Sequence, residues 1–200
     1  MSKARLETLS DGVFAIAITL LVLTISAPTD YRDLGAQLIA KWPSLAAYVV
    51  SFFVVGVMWL NHHSVFASFA RVDRPLYYLN LAVLLTVVLV PYPTGILGEA
   101  LSRDKGETVA AVAYSGLMAV QACCWGALWL YASTGRRLLE DSFPETGRRR
   151  ATLEFTSGIV LYTFTIGVAL VNAAACLAVH ALVALYYAFD PLSRRPQPSE

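Results

Sequence analysis

The sequence predicts an all-α integral membrane protein with six transmembrane helices. Three observations carry that class. The 200 residues are 57% hydrophobic and only 14% charged, where a soluble domain carries about 25% charge. The charged residues gather in short clusters between long apolar stretches. Those stretches are long enough to cross a hydrocarbon core, which takes roughly 20 residues at about 1.5 Å each.

Taken in order, the apolar segments fall at 11–27, 44–69, 76–97, 108–132 and 153–189. The last is too long for one helix across about 30 Å and long enough for two short ones. Asn172, followed by Ala173-Ala174-Ala175, is the expected turn between them. Charge tests the count of six independently. With both termini cytoplasmic, the inner segments carry Lys3, Arg5, Arg71, Arg74, Arg136, Arg137, Arg148, Arg149, Arg150, Arg194 and Arg195; the outer ones carry Arg32, Lys41, Arg103 and Lys105. Eleven against four obeys the positive-inside rule, and a five-helix arrangement divides the charge less well. The expected location is therefore the cell membrane, multi-pass.

The N-terminus imitates a secretory signal, with Lys3 and Arg5 before an apolar run and Ile25-Ser26-Ala27 after it. Glu7 and Asp11 are poorly placed for that role, and Pro28 sits where cleavage would occur. The loop 134–152, with its Arg148-Arg149-Arg150 run, reads as a cytoplasmic linker and a topology signal near anionic lipid. Residues 191–200, Pro-rich and polar, read as a disordered cytoplasmic tail; residues 1–190 form one membrane domain.

Several function classes are excluded. A net charge of +1 provides no basic stripe for a nucleic-acid partner. Cys123, Cys124 and Cys176 lack metal-ligand spacing and read as packing residues. His62-His63 lacks the second histidine and the glutamate of a zinc-protease helix, and His180 reads as a packed or interfacial histidine. With no nucleophile elbow and no phosphate loop, the expectation is no enzyme, no metal and no cofactor. No Asp, Glu, Lys or Arg falls near the middle of a span, whereas ion-coupled transporters usually carry one there or break their helices at the midplane. A passive pathway fits better than a pump.

Ionised groups at the mouth of the first apolar segment, Arg5-Leu-Glu-Thr-Leu-Ser10-Asp11, are costly unless the protein pairs them. At 100° per residue, Gly12, Ile16, Thr19, Leu20, Leu23 and Ala27 fall within about a 100° arc, with Ser10 and Asp11 outside it. Two readings stand. The arc lines a pore with a single hydroxyl, or it faces lipid and neighbouring helices as such residues ordinarily do.

A resemblance bears on that choice. Arg5-x-x-x-Leu9-Ser10-Asp11, followed by Gly-Val-Phe-Ala-Ile-Ala-Ile-Thr-Leu, resembles the Arg-x-x-x-Phe-Ser-Asp signature of the pore helix in the endo-lysosomal potassium channel family called transmembrane protein 175. Trp59-Leu-Asn-His62 is similar to that family's Trp-x-x-His on the second helix. Leu79-Asn80-Leu81 and Pro91-Tyr92 resemble patterns of the third. The likeness covers the first three helices; the last three agree only in hydropathy. Leu9 departs from the usual Phe.

The resemblance implies a homotetramer in which the first helix of each subunit lines a pore for K⁺, with membrane lipid and further copies of the chain as partners. It assigns Ile16 to the constriction, Leu20 and Leu23 to the apolar lining, and Thr19 to the polar position. A ring of apolar side chains gates by dewetting. Thr19 either supplies oxygens to a partly dehydrated cation or bonds back to its own helix. Arg5, Ser10, Asp11, Trp59, His62 and Asn80 become a buried polar cluster joining the first three helices, with Arg5 pairing Asp11 bidentately. Removing one partner of a buried charge pair costs roughly 3–5 kcal/mol. His62 has the side chain that titrates near neutral pH, so pH-dependent gating is a further expectation. The competing readings are a small proton-coupled transporter or proton-conducting protein relaying through Asp11 and His62, and a non-conducting scaffold.

Overall fold

The computed structural model describes residues 2–28 and 31–189. The first helix, α1, spans Lys3–Leu20 and tightens into a 3-10 turn at Leu21–Thr24. It starts eight residues earlier than the apolar run at 11 because its first turns are amphipathic. Leu6, Ser10, Phe14, Ala17 and Leu21 recur every third or fourth position and are all buried, while Ala4, Arg5 and Thr8 face outward. Averaged hydropathy hides such a face. The helical segment ends at Thr24, and Ile25 is extended. Ala27 therefore leaves the arc expected for it.

A short helix, α2 (Leu34–Ala40), precedes α3 (Trp42–Ala67), which carries Pro43 in its first turn, where a missing N–H costs nothing. Asp73 caps α4 (Arg74–Leu89) by accepting from Leu76 N at 3.0 Å. The third span continues as α5 (Pro91–Arg103). Pro91 and Pro93 remove two backbone donors, yet Val90 keeps helical dihedrals, so the span is interrupted rather than turned. The fourth span is α6 (Glu107–Ser133).

The last apolar segment divides where expected. It forms α7 (Glu145–Val171) and α8 (Ala173–Phe189), with Asn172 extended between them. Asn172 Oδ1 accepts from Ala175 N at 2.8 Å, capping α8. Thr165 contacts Cys176, Tyr162 stacks on His180, and Gly158 lies near Tyr187. These pairs converge on Asn172, so the two helices form an antiparallel hairpin. Six spans result, of which α8, at about 25 Å, is the shortest.

The 134–152 linker is corrected in two ways. Residues 145–152 are the first turns of α7, braced by Glu145 with Arg148 and Arg149 and by Arg150 with Glu154. The remaining residues are strapped to the α3–α4 turn: Ala70 N donates to Leu138 O at 2.9 Å and Glu140 N to Ser68 O at 3.0 Å. Arg136, at a left-handed φ of 54° after Gly135, donates to the carbonyls of Glu140, Asp141 and Phe143. Lys3 joins the same layer through Phe69 O at 2.7 Å. The start of α1, the α3–α4 turn and the α6–α7 loop thus share one end of the bundle.

The core has two parts. One surrounds Phe14, Ala17 and Leu21 with residues of the other spans. The second lies toward the strapped end and is aromatic, with Phe66, Phe69, Trp125, Trp129 and Phe143 around Leu6. His180 is buried, bonded to Ser115 at 3.1 Å and stacked on Tyr162, in keeping with a packed histidine. Cys176 is buried, but Cys123 is exposed and does not pack in the core. The tail expected at 191–200, with Arg194 and Arg195, lies outside the described residues.

Candidate functional site

The two sides of α1 differ in chemistry. On its packed side a hydrogen-bond chain crosses three helices. His62 Nε2 donates to Asn80 Oδ1 at 2.9 Å, Asn80 Nδ2 donates to Ser10 Oγ at 3.0 Å, and Ser10 Oγ donates to Leu6 O at 2.9 Å. Each group in the chain is used, so the cluster meets the demand that buried polar groups be paired. His62 is boxed by rings: Phe66 stacks on it at 4.2 Å, and Phe14 and Trp125 meet it edge-on at 5.4 and 5.8 Å. Phe14 belongs to α1, so the box and the hydrogen-bond chain fix the same helix.

Asp11 and Trp59 form a separate pair. Trp59 Nε1 donates to Asp11 Oδ1 at 2.8 Å, and both residues are exposed in the single chain. The six-residue cluster therefore divides into a buried triad (Ser10, Asn80, His62) and an exposed pair. Arg5 joins neither. It is exposed, and among the described residues no bond from it to Asp11 is formed. The reason is angular: at 100° per residue Arg5 lies about 120° from Asp11 around the helix and about 20° from Ile16.

The other side of α1 has no cover among the described residues. Gly12, Ile16, Thr19, Leu20 and Leu23 are all exposed, Ile16 at 58% and Leu23 at 75%. The 3-10 turn advances the chain about 20° more per residue than an α-helix, yet Leu23 stays on the open side. Thr19 Oγ1 donates to Ile16 O at 2.8 Å. The hydroxyl proton is spent on the helix, which leaves oxygen lone pairs directed away from it. Among the described residues, no group of three His, Cys, Asp or Glu side chains is placed to hold a metal ion.

At the far end of α1 lies a cluster that periodicity did not reveal. Lys41 Nζ donates to Ser26 Oγ and pairs with Glu99 at 3.2 Å; Arg103 pairs with Glu99 at 2.6 Å. Ser26 Oγ also donates to Glu99 at 3.3 Å. A lone glutamate in the third span, four residues before an arginine, was the available signal. A second unanticipated network, Thr94 to Ser51 at 2.8 Å and Ser51 with Tyr114 at 3.0 Å, ties α5, α3 and α6. Isolated hydroxyls in apolar runs gave no sign of which would meet.

The family profile described as endosomal/lysosomal potassium channel TMEM175 matches residues 5–91. A potassium channel of Streptomyces collinus is 46% identical over 194 residues, covering 94% of this chain and 92% of the relative. The chain belongs to the TMEM175 family. A potassium channel of Chamaesiphon minutus is 36% identical over 188 residues, covering 92% of each chain. The crystal structure of a lysosomal potassium-selective channel TMEM175 homologue from Chamaesiphon minutus superposes with a TM-score of 0.84 at 34% identity, covering 93% of this chain and 96% of the other. The chain is thus a multi-pass membrane protein with the TMEM175 fold, and the profile covers α3, α4 and all of α1 after its first two residues, the three helices joined by the Ser10–Asn80–His62 triad.

Proposed function

We propose that four copies of this chain surround a central axis and form a potassium-preferring leak channel lined by α1. The observation that carries this reading is the split between the two sides of that helix: one is anchored by Ser10, Phe14 and Ala17, while the side bearing Gly12, Ile16, Thr19, Leu20 and Leu23 is open. The potassium-channel relatives, alike over nearly their whole length, support it.

The conduction chemistry follows from the side chains. A ring of Ile16 is an apolar constriction that empties and wets. A cation crossing it sheds part of its hydration shell, and K⁺ holds water less tightly than Na⁺. Preference for K⁺ is modest, because no carbonyl cage replaces the lost water. The Thr19 oxygens, with their protons turned to the backbone, are the nearest compensating ligands. Leu20 and Leu23 continue the apolar wall. The Ser10–Asn80–His62 triad and the Asp11–Trp59 pair set the angle of α1 without touching ions. Both termini lie in the cytoplasm, on the arginine-rich side, and passive flow requires neither cofactor nor reaction chemistry.

Purified complex should have a mass four times 21.8 kDa. In liposomes it should pass K⁺ faster than Na⁺ with neither ATP nor a coupling gradient. Ile16→Asn should raise flux and lower the K⁺/Na⁺ ratio; unaltered conduction would remove Ile16 from the constriction. Flux that saturates and follows an imposed proton gradient would favour the proton-coupled reading instead.

A further inference from the structure

Behind α3, on the side away from α1, the bundle is incompletely closed. Helices α3 and α7 hardly touch each other, although each packs on α8 and α7 packs closely on α6. The gap between them is a crevice of about 100 Å³, open on one side, walled by Met58 of α3 and Phe155 of α7 and floored by Ala122 and Gln121 of α6. Its mouth is polar, with Asn61 near the end of α3 and Glu154 paired with Arg150 at 2.8 Å. Deeper in, the lining is mostly apolar, with the phenols of Tyr162 and Tyr187 also on the wall. Gln121 is 2% exposed; among the described residues its Nε2 donates to Met58 Sδ at 3.6 Å and its Oε1 has no hydrogen-bond partner.

A buried amide oxygen without a donor is costly, and native proteins leave few of them. Among the described residues, none of the polar groups on the crevice lining bonds to Gln121 Oε1. What enters must bring its own donor. Walls of Met, Phe, Val and Ala side chains reward an apolar body, and a cation that deep would lose its hydration without a carboxylate beside it.

We propose that this crevice binds a small amphiphile with one hydroxyl on an apolar body, the hydroxyl donating to Gln121 Oε1. At about 100 Å³ the space is smaller than apolar cavities of about 150 Å³ that accept benzene, so a ring or a short chain seats with part of its body in the open side. Met58 and Asn61 flank Trp59 on α3, so the ligand sits against the back of the helix that holds α1.

The probes are 4-fluorobenzyl alcohol and 4-fluorotoluene, followed by fluorine NMR on the intact detergent-solubilised complex. The alcohol should bind saturably and at least fivefold tighter than the toluene. Gln121→Leu, close in volume, should abolish that difference. Ala122→Phe should remove saturable binding of both, and its elution and melting profiles establish that it folds. Equal affinity of the two probes, unsaturable uptake identical in wild type and Ala122→Phe, or a density map with ordered water or a neighbouring subunit's side chain bonded to Gln121 would overturn the proposal. Solvent extraction of wild type and Gln121→Leu distinguishes the sources. A hydroxyl lipid carried only by wild type identifies a membrane ligand, and saturable probe binding without one identifies a dissolved alcohol.

Discussion

Asn80 and Asp11 anchor the same helix under different conditions. Asn80 is fully buried and bonds in two directions, to His62 and to Ser10. Asn80→Leu strands the His62 N–H inside an aromatic box, at a cost of about 1–3 kcal/mol. Asp11 is exposed and holds Trp59 alone, so Asp11→Ala should cost the isolated subunit about 1 kcal/mol or less. Thermal melting in detergent should therefore rank Asn80→Leu well below Asp11→Ala, and the reverse order would mean that the buried triad is not what holds α1. Arg5 teaches a related point. The motif places it six residues before Asp11, but a pair needs the same azimuth, and the helix denies it that.

Helix contacts set two further expectations. In α5, Gly98 faces the backbone of Ser44, and a Cβ at that position would lie 2.8 Å from Ser44 Cα. Backbone cannot swing aside as a side chain does, so Gly98→Ala should destabilise by about 1–3 kcal/mol. At Gly12, inside α1, an added Cβ meets nothing within 4 Å, so Gly12→Ala should hold or slightly raise the melting temperature of the isolated subunit, alanine being the better helix former by about 0.5–1 kcal/mol. Equal melting of the two variants would contradict the close approach of α5 to α3. At the hairpin, Asn172 caps α8 through Ala175 N, and Asn172→Ala should cost about 1 kcal/mol. Asn172→Ser, which retains an acceptor, should recover most of it.

Assembly of the spans fixes which ends meet. Lys3, the Ser68–Ala70 turn and the Leu138–Glu140 strand-like pair share one end, and Lys41, Glu99 and Arg103 share the other. With the three native cysteines replaced, a single cysteine at Gly147 should label only from the cytoplasmic face and one at Asp104 only from outside. Labelling of both from one face would break the six-span order. The strap also changes the meaning of the 134–152 segment: Arg136 spends its guanidinium on three carbonyls rather than on lipid.

Hydropathy and the excess length of the last apolar segment gave the number of spans, and the distribution of Lys and Arg supported it and gave their expected orientation. The Asn172 turn and the open stripe through Ile16, Thr19 and Leu20 were legible for the same reason. Each depends on residues close together in the chain, and helical period converts spacing into direction. Four motif fragments supplied the partners Ser10, Asp11, Trp59, His62 and Asn80, but not their grouping. The split into triad and pair, the exclusion of Arg5, the hydroxyl network at Ser51 and the orphaned Gln121 amide were decided by packing. Contact between distant helices depends on azimuth and depth to within a side chain's length, and hydropathy carries neither.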